Sequence, residues 1–450
     1  MPVTATLYPY QEDMLSFPME RDKSLLLASP GLGKTLVTLK WLDHLFTTGQ
    51  SRGSLVIAPL RVARCTWPEQ IETWSHSSYM SYAFLHTPEG RKAWHEGKAM
   101  IYLINPEQLI KCLPLLFKGL NRIPVDTLVI DEIANARNPK SKRFKALLPY
   151  LKFFKHRVGL TGTPIAKDYR DLWAQVRLID DGERLGKSYH HYVQTWFDHD
   201  YMKFKFWLKP GAKEQIDAKL ADIALVMLGD DYLDVPTTMS EDVGITLPPE
   251  ARKTYTKMEK DLLVQIKDSE VVALSAAALT TKLLQLCSGS VYDDERNVVD
   301  LHTAKVDALR ALRKKHKGEP MLVFIAYRHE RARLLREFPD AVEFDENKIK
   351  DWQAGRIPMF VCSPQSMGHG VDGLQRGGRI CVWFTMTWSS ELFQQACARL
   401  IRTGQSWETL VYRLVATDTI DEAVCESVRV KGDTQSGLLH ALKALQNLRK

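Results

Sequence analysis

The first residues whose types and spacing could do chemistry lie in a glycine loop, residues 28–35, between an apolar run and a helical pattern. Gly31 and Gly33 allow successive backbone N–H groups to curl around phosphate oxygens, and the N-terminus of the following helix adds the positive end of its dipole. Lys34 can reach the β- and γ-phosphates, and the Thr35 hydroxyl can hold Mg²⁺. The predicted nucleotide-binding residues of this loop are Pro30, Gly31, Leu32, Gly33, Lys34 and Thr35.

A second apolar run, residues 127–131, ends in two adjacent carboxylates, Asp131 and Glu132. Ligands of open parallel α/β sheets bind at the carboxyl ends of the strands. We expect Asp131 to hold Mg²⁺, directly or through water, and Glu132 to orient or deprotonate the attacking water. Such a pair is a weak signal alone, but after a phosphate loop it predicts hydrolysis of a nucleoside triphosphate.

Two arginines near the end of the chain, Arg399 and Arg402, are three positions apart in a segment that we predict to be helical, so they would share one face. Arginines delivered from a second lobe can neutralise charge on a γ-phosphate during hydrolysis. A pair of surface salt bridges is the alternative interpretation.

These motifs must be positioned by strands, and short apolar runs bounded by turn residues recur in two sets with helical patterns between them. The runs are residues 25–29, 55–59, 100–105, 127–131 and 158–161 in the first set, and 321–327, 359–363, 380–385 and 410–415 in the second. Continuous apolar runs suit strands buried on both faces of a parallel sheet, and their alternation with helices indicates βαβ units. The predicted fold is α/β, with two parallel-sheet lobes in tandem.

A helix-patterned segment, residues 181–300, separates the two sets. We interpret it as helical insertions between a first lobe, residues 1–180, and a second lobe, residues 301–450. Aromatic residues are dense at positions 189–209 and could stack on bases, but we favour the core of a small insertion.

Composition limits the class of protein. With 450 residues, 45% hydrophobic and 26% charged, the chain is typical of a soluble protein of two to three domains. No run approaches the roughly 20 apolar residues of a membrane helix, and the N-terminus lacks the features of a signal peptide. The 7 cysteines are isolated from one another, which suits a reducing compartment. We therefore expect a cytoplasmic protein with no membrane partner, and its net charge of +7 tolerates a polyanion.

Taken in order, the motifs resemble those of the superfamily-two helicases and, within them, the Swi/Snf-like translocases on double-stranded DNA. The resemblance extends over roughly residues 7–425, and a compact single chain such as this one is similar to helicase-like proteins of bacterial viruses and prophages. The segments that carry it are residues 7–11, 28–35, 55–59, 131–141, 161–165, 172–173, 322–324, 363–370 and 395–405.

The resemblance implies two RecA-like lobes, the cofactors ATP and Mg²⁺, and nucleic acid, most of all duplex DNA, as the partner. It also implies that Gln11 contacts the adenine, that Gln395 belongs to the nucleotide site, and that Arg399 and Arg402 complete that site from the second lobe. We expect a monomer in a bacterial or phage-infected cell.

Candidate nucleic-acid contacts follow apolar strands in both lobes. Arg61, Arg64 and Arg328 lie just beyond predicted strands, and Ser363 opens the fifth motif of the family pattern. Contact with phosphates and plain solvated charge are equally good interpretations of these arginines.

Three positions depart from the family pattern. Ala134 stands where the Asp-Glu box usually ends in histidine, Lys167 replaces an asparagine, and residues 371–374 contain one residue more than usual. These departures bear on the coupling of ATP hydrolysis to movement rather than on ATP binding.

The predicted function is that of an ATP-driven motor that moves along duplex DNA without separating its strands. A strand-separating helicase or an annealing motor is one alternative. Others are a nucleotide-gated clamp that binds nucleic acid without transport, and the motor subunit of a restriction or defence assembly whose nuclease is another chain.

Overall fold

The chain forms two compact units, Met1–Leu233 and Asp234–Lys450. The computed structural model describes residues 2–119, 123–162, 168–200, 206–232, 236–268, 273–293, 295–367, 371–402 and 404–429.

The first unit is built around a seven-stranded sheet in which every neighbouring pair is parallel, in the order β3-β4-β2-β5-β6-β1-β9. Its strands, with the antiparallel hairpin β7–β8, are β1 (Lys23–Ala28), β2 (Ser54–Ile57), β3 (Tyr82–Phe84), β4 (Ile101–Ile104), β5 (Thr127–Asp131), β6 (His156–Thr161), β7 (Phe197–His199), β8 (Phe206–Leu208) and β9 (Ala224–Met227). Its helices are α1 (Pro9–Met19), α2 (Lys34–Thr47), α3 (Trp67–Thr73), α4 (Pro88–Glu96), α5 (Leu109–Phe117), α6 (Lys142–Leu147), α7 (Tyr169–Asp180), α8 (Tyr189–Trp196), α9 (Ala212–Leu220) and α10 (Gly229–Tyr232).

The second unit contains a six-stranded parallel sheet in the order β10-β17-β16-β13-β15-β14, and a separate antiparallel hairpin, β11–β12. The strands are β10 (Thr238–Ile245), β11 (Ser290–Tyr292), β12 (Val298–Asp300), β13 (Met321–Phe324), β14 (Ala341–Glu343), β15 (Met359–Cys362), β16 (Ile380–Trp383) and β17 (Thr409–Ala416). The helices are α11 (Pro249–Asp268), α12 (Ala273–Ser288), α13 (Ala304–Lys315), α14 (Arg328–Glu337), α15 (Ile349–Gln353), α16 (Ser390–Cys397) and α17 (Ile420–Arg429).

Both sheets are covered on their two faces, as the continuous apolar runs predict. In β1, Leu25 and Leu27 pack into one cluster of buried side chains, while Leu26 and Ala28 pack into another on the opposite face. The second sheet divides its side chains between two clusters in the same way. Because successive side chains of a strand point to opposite faces, a strand buried on both sides must be apolar throughout. The predicted α/β class with two parallel sheets is confirmed.

The segment between the two predicted lobes contains strands as well as helices. Within residues 181–300, β9 adds to the edge of the first sheet beside β1, and β10 adds to the edge of the second beside β17. The segment is therefore shared between the two compact units, and α11 and α12 lie on the side of the second.

The aromatic stretch at residues 189–209 lies within the first unit. Tyr192 and Phe197 are buried in the same cluster as one face of the sheet, and Tyr189 packs edge-on against Trp173. Trp207 is half exposed, and Phe204 lies outside the described residues. Most of this stretch thus has the packing of a small core. No helix in the described parts of the chain is long and apolar enough to cross a bilayer.

Candidate active site

Three neighbouring strands of the first sheet bring the two predicted halves of the nucleotide site together. β6 lies between β5 and β1, and the register pairs Asp131 with Leu160 and Leu27 with Thr161. The three strands therefore end at the same level. Because adjacent strands lie about 4.8 Å apart, the loop that follows β1 lies two strand spacings from the carboxylate that ends β5.

The glycine loop has the backbone conformation that its sequence predicts. Gly31 and Gly33 have φ angles of 89° and 81°, in the left-handed region that side chains disfavour. A Cβ atom on Gly33 would also lie 2.3 Å from Nε2 of Gln11, so any larger residue there would force the Gln11 side chain to move. α2 begins at the next residue, Lys34, and presents the N-terminus of a 14-residue helix to the loop.

Gln11 lies against this loop. Its Nε2 donates to the Leu32 carbonyl at 3.2 Å, and its Oε1 accepts from the backbone N–H of Tyr8 at 3.1 Å. The side chain is buried. Gln11 thus links the start of α1 to the loop, and its contact with adenine stays a prediction.

The Lys34 ammonium points into the loop, where it donates to the carbonyls of Ala28 at 2.7 Å and Ser29 at 3.2 Å. Gly162, just after β6, lies close to the Lys34 ammonium. A Cβ atom on this glycine would be 3.8 Å from Nζ of Lys34 and 3.2 Å from Cγ of Pro30. The segment of the family pattern that begins at Thr161 therefore starts beside the loop. Its remaining residues, Thr163, Pro164, Ile165 and Lys167, lie outside the described residues.

Asp131 is held rigidly. The carboxylate is buried, its Oδ2 accepts from the Trp67 indole Nε1 at 3.0 Å, and its Oδ1 accepts from the backbone N–H of Glu132 at 3.0 Å. Donors to both oxygens fix the orientation of this carboxylate, whose oxygens are of the kind that Mg²⁺ prefers as ligands. The contact of Trp67 with Asp131 was not predicted, because the sequence contains no local signal for it.

Glu132 has a strained backbone. Its φ and ψ are both 53°, a left-handed conformation that costs a non-glycine residue on the order of 1–3 kcal/mol. The Glu132 carbonyl then accepts from Asn135 N–H at 2.9 Å, and a short 3-10 helix, Ile133–Ala136, follows. The extended backbone of β5 therefore ends before Glu132. Such strain concentrates at functional sites.

Arg399 and Arg402 do not lie on a helix, so the prediction that they share one face of a helix is wrong. α16 ends at Cys397, and both Arg399 and Arg402 lie in the tight turns that follow it. Beyond the end of the helix, the side chain of Gln405 donates to the carbonyls of Gly378 at 3.0 Å and Leu400 at 3.3 Å, so side-chain bonds hold this segment. Gly404, with φ of 90°, then reverses the chain.

The two guanidinium groups nevertheless converge. Each donates to the Val371 carbonyl through its Nη1, at 3.1 Å from Arg399 and 3.4 Å from Arg402, and Arg402 also pairs with Asp372 at 3.2 Å. The segment 395–405 of the family pattern therefore contacts the residue that follows the segment 363–370. Gln395 is half-buried within α16, and Gly368, His369 and Gly370 lie outside the described residues.

Two of the four candidate nucleic-acid residues share a cavity. Arg328 and Ser363 line a hollow of about 340 Å³ at the carboxyl ends of β13 and β15, together with Arg331, which is paired with Glu343. In the first unit, Arg64 lies 3.2 Å from the His86 ring. Burial lowers the pKa of Arg61, but an arginine keeps its charge at neutral pH.

Comparison with known proteins now identifies the family. The SNF2-related domain matches residues 10–289 of the chain, and the putative protein p41 of Acyrthosiphon pisum secondary endosymbiont phage 1 is 34% identical over 98% of this chain and 99% of its own length. The chain belongs to the SNF2-related family. The family predicted from the motifs is therefore confirmed.

Other members are longer or more distant. Chromatin structure-remodeling complex subunit snf21 of Schizosaccharomyces pombe is 24% identical over 96% of this chain, but the chain spans only 38% of its length. The solved "SWI2/SNF2 ATPase core in complex with dsDNA" of Sulfolobus solfataricus is 22% identical, with a TM-score of 0.47, over 94% of this chain and 91% of that one.

Family membership establishes the class of activity. This SNF2-related chain is an ATP hydrolase with a helicase-type core, and it is an ATP-dependent motor that acts on nucleic acid. The residues at the loop fit the nucleotide, since glycine is required at position 33 and a lysine and a helix N-terminus face the same point. Thr35, half-buried in the first turn of α2, and Asp131 fit Mg²⁺. The individual roles of these residues stay predictions.

Lys34→Ala should abolish ATP turnover, because it removes the positive charge that the loop presents to the β- and γ-phosphates. Glu132→Gln should keep ATP binding and lose hydrolysis. Phosphate release and binding of a fluorescent nucleotide measure the two properties, with Lys92→Ala, an exposed lysine of the same unit, as the control. Wild-type turnover in the Lys34 variant would refute the site.

Trp67→Phe should lower kcat and raise the Mg²⁺ concentration for half-maximal activity. The change keeps an aromatic ring but removes a hydrogen bond to a charged group, worth roughly 1.5–3 kcal/mol, so we expect about a tenfold effect. Trp74→Phe is the matched control, because it removes an indole bond to Gln70 instead. An unchanged Mg²⁺ dependence would show that Trp67 does not position Asp131.

Proposed function

We propose that this SNF2-related chain uses ATP hydrolysis to move along duplex DNA without separating its strands. The observation that carries the proposal is the cavity beside Arg328 and Ser363, which offers a positive group and a hydroxyl at the carboxyl edge of the second sheet. A phosphate backbone needs such contacts, and they are independent of base sequence.

In this proposal the first unit binds the nucleotide. Lys34 and the N-terminus of α2 hold the phosphates, while Thr35 and Asp131 ligate Mg²⁺. When bound, Mg-ATP would supply the γ-phosphoryl group that water attacks, with ADP as the leaving group, and the free energy of the cycle. Glu132 orients the attacking water and accepts its proton, and the strained turn at this residue keeps its carboxylate aligned in advance.

The second unit supplies the arginines. Arg399 and Arg402 share the Val371 carbonyl, so the two positive groups are held side by side before they act on the γ-phosphate. An arginine places positive charge beside the negative charge that develops on the γ-phosphate in the transition state. Gln395, on the preceding helix, belongs to the same segment.

The choice of duplex DNA rests on the family branch. Asn138, Ser141, Leu172 and Trp173 match the Swi/Snf-like pattern, and the names of the relatives include chromatin-remodeling subunits and a putative helicase/translocase of Bacillus subtilis. Strand separation requires a wedge that unstacks base pairs at about 1.4 kcal/mol per step, whereas movement along one phosphate strand requires only alternate grip and release.

Two substrates test the proposal. The first is a triplex whose third strand is displaced when a motor passes along the duplex, and the second is a forked duplex that reports strand release. We expect ATP-dependent displacement of the third strand and no opening of the fork. Glu132→Gln is the control for dependence on hydrolysis. Efficient fork opening with an intact triplex would instead identify a strand-separating helicase, and binding without either reaction would identify a clamp.

Arg402→Ala should lose turnover and keep nucleotide affinity, because the arginine acts on charge that develops in the transition state. The loss expected for such a group is on the order of a thousandfold. Single-turnover hydrolysis separates this effect from ATP binding, and Arg356→Ala, a surface arginine of the same unit paired with Asp351, is the control. A collapse of ATP affinity with a normal rate of hydrolysis of bound ATP would rule out this role.

A further inference from the structure

A buried carboxylate joins the ends of two neighbouring strands in the second sheet. Glu330, in the first turn of α14, is only 1% exposed. Its Oε2 accepts from the backbone N–H groups of Ala326 and Tyr327, at 2.8 and 3.0 Å, just after β13. Its Oε1 accepts from the Thr385 hydroxyl at 2.6 Å, just after β16. We call the bond between these two side chains the Glu330–Thr385 link.

Capping of α14 explains only half of this arrangement. A serine, asparagine or exposed glutamate satisfies the N-terminus of a helix without placing a carboxylate in the interior. Burial disfavours the charged form of Glu330 and raises its pKa, so the position is costly unless the carboxylate is bonded on all sides. The bond to Thr385 is the part that a simple cap would not need.

The link has a candidate nucleic-acid contact at one end. Tyr327 donates its backbone N–H to Glu330. The next residue, Arg328, is exposed and lines the cavity together with Ser363. A displacement of the Arg328 backbone would therefore also move the neighbouring backbone that Glu330 holds.

The other end leads to the arginines. Residues 386–388 connect Thr385 to Ser389, whose hydroxyl caps α16 by accepting from Leu392 N–H at 3.2 Å. Thr387 accepts from the Ser389 N–H at 3.2 Å, so the connector is itself tied to the helix start. α16 then runs directly into Arg399 and Arg402.

A separate ion pair holds the strand end itself. Lys305 is fully buried, pairs with Asp421 at 2.6 Å, and donates to the Phe384 carbonyl at 3.0 Å. Phe384 N–H in turn donates to Phe324 of β13 at 2.9 Å. Loss of the Thr385 hydroxyl therefore leaves these bonds at the end of β16 in place.

We propose that the Glu330–Thr385 link transmits nucleic-acid binding at Arg328 to the arginine-bearing segment that follows α16. The inference rests on the proposed function, and it assigns Glu330 and Thr385 as positioning residues that contact neither substrate. A hydrogen-bonded path with a short connector can move one strand end with the other, since packed elements transmit displacement rather than absorb it.

The test compares ATP turnover without and with saturating duplex DNA. Thr385→Val keeps the side-chain shape and removes the hydroxyl, and Thr385→Ser keeps the hydroxyl. Thr409→Val is the matched control, because Thr409 is fully buried in β17 and its hydroxyl has no hydrogen-bond partner within the described part of the chain. Thermal unfolding, DNA affinity and KM for ATP are measured on each variant.

Thr385→Val should lose DNA stimulation by about tenfold, the loss expected for one hydrogen bond to a charged group, with basal turnover, DNA affinity and KM within about twofold of wild type. Thr385→Ser should restore the stimulation, and Thr409→Val should retain it. Glu330→Asp, whose shorter chain cannot reach Thr385 while it accepts from the N–H groups of Ala326 and Tyr327, should show the same loss, and the double variant should lose no more than either single one.

Full stimulation in Thr385→Val would overturn the proposal. So would a proportional loss of basal and stimulated turnover together with lower thermal stability, because that result describes a purely structural bond. If Thr385→Val does not fold, Glu330→Asp with and without Thr385→Ser decides the question. A wild-type protein that no nucleic acid stimulates would overturn the proposed function first, and the link with it.

Discussion

Parallel pairing with both faces buried is the constraint on which the rest of the molecule depends. A parallel strand can be followed only by a crossover, so every strand of a sheet ends at the same edge. In the first unit this rule places the end of β1, the end of β6 and Asp131 side by side. In the second it places the ends of β13, β15 and β16 together, with Arg328, Ser363 and Thr385 beyond them. Residues that are far apart in sequence therefore meet without any direct signal between them.

The residues predicted to bind the nucleotide and Mg²⁺ are held in position by contacts with neighbouring residues. Trp67 fixes one oxygen of Asp131, and the N–H of Glu132 fixes the other. Gln11 occupies the space that a side chain at Gly33 would need. These contacts restrict the carboxylate and the loop to one arrangement, which lowers the reorganisation that catalysis would otherwise require.

The second unit uses buried charge for a similar purpose. Lys305, Asp421 and Glu330 are all buried, and each bonds to backbone at the end of a strand. Apolar side chains could fill this volume at lower cost, but they are not directional and could not hold the loops in register. The exposed Arg328 and the segment that leads to Arg399 and Arg402 follow the strands at this same edge. The buried charged residues therefore hold the backbone next to the arginines that we propose to be functional.

The sequence by itself determined the family, the α/β class, the glycine loop and the Asp-Glu pair. It also located the nine interior strands of the two sheets, because a strand that is buried on both faces must be continuously apolar. The sequence did not predict the four outermost strands of the two sheets, which are β3, β9, β10 and β14. β10 contains Ser240, Glu241 and Asp242 and is largely exposed, so it has no apolar run to detect. The end of α16 before Arg399, the indole contact of Trp67 and the Glu330–Thr385 bond were likewise decided by the tertiary structure. Each depends on a partner that is distant in sequence, and no local pattern of residue types specifies such a partner.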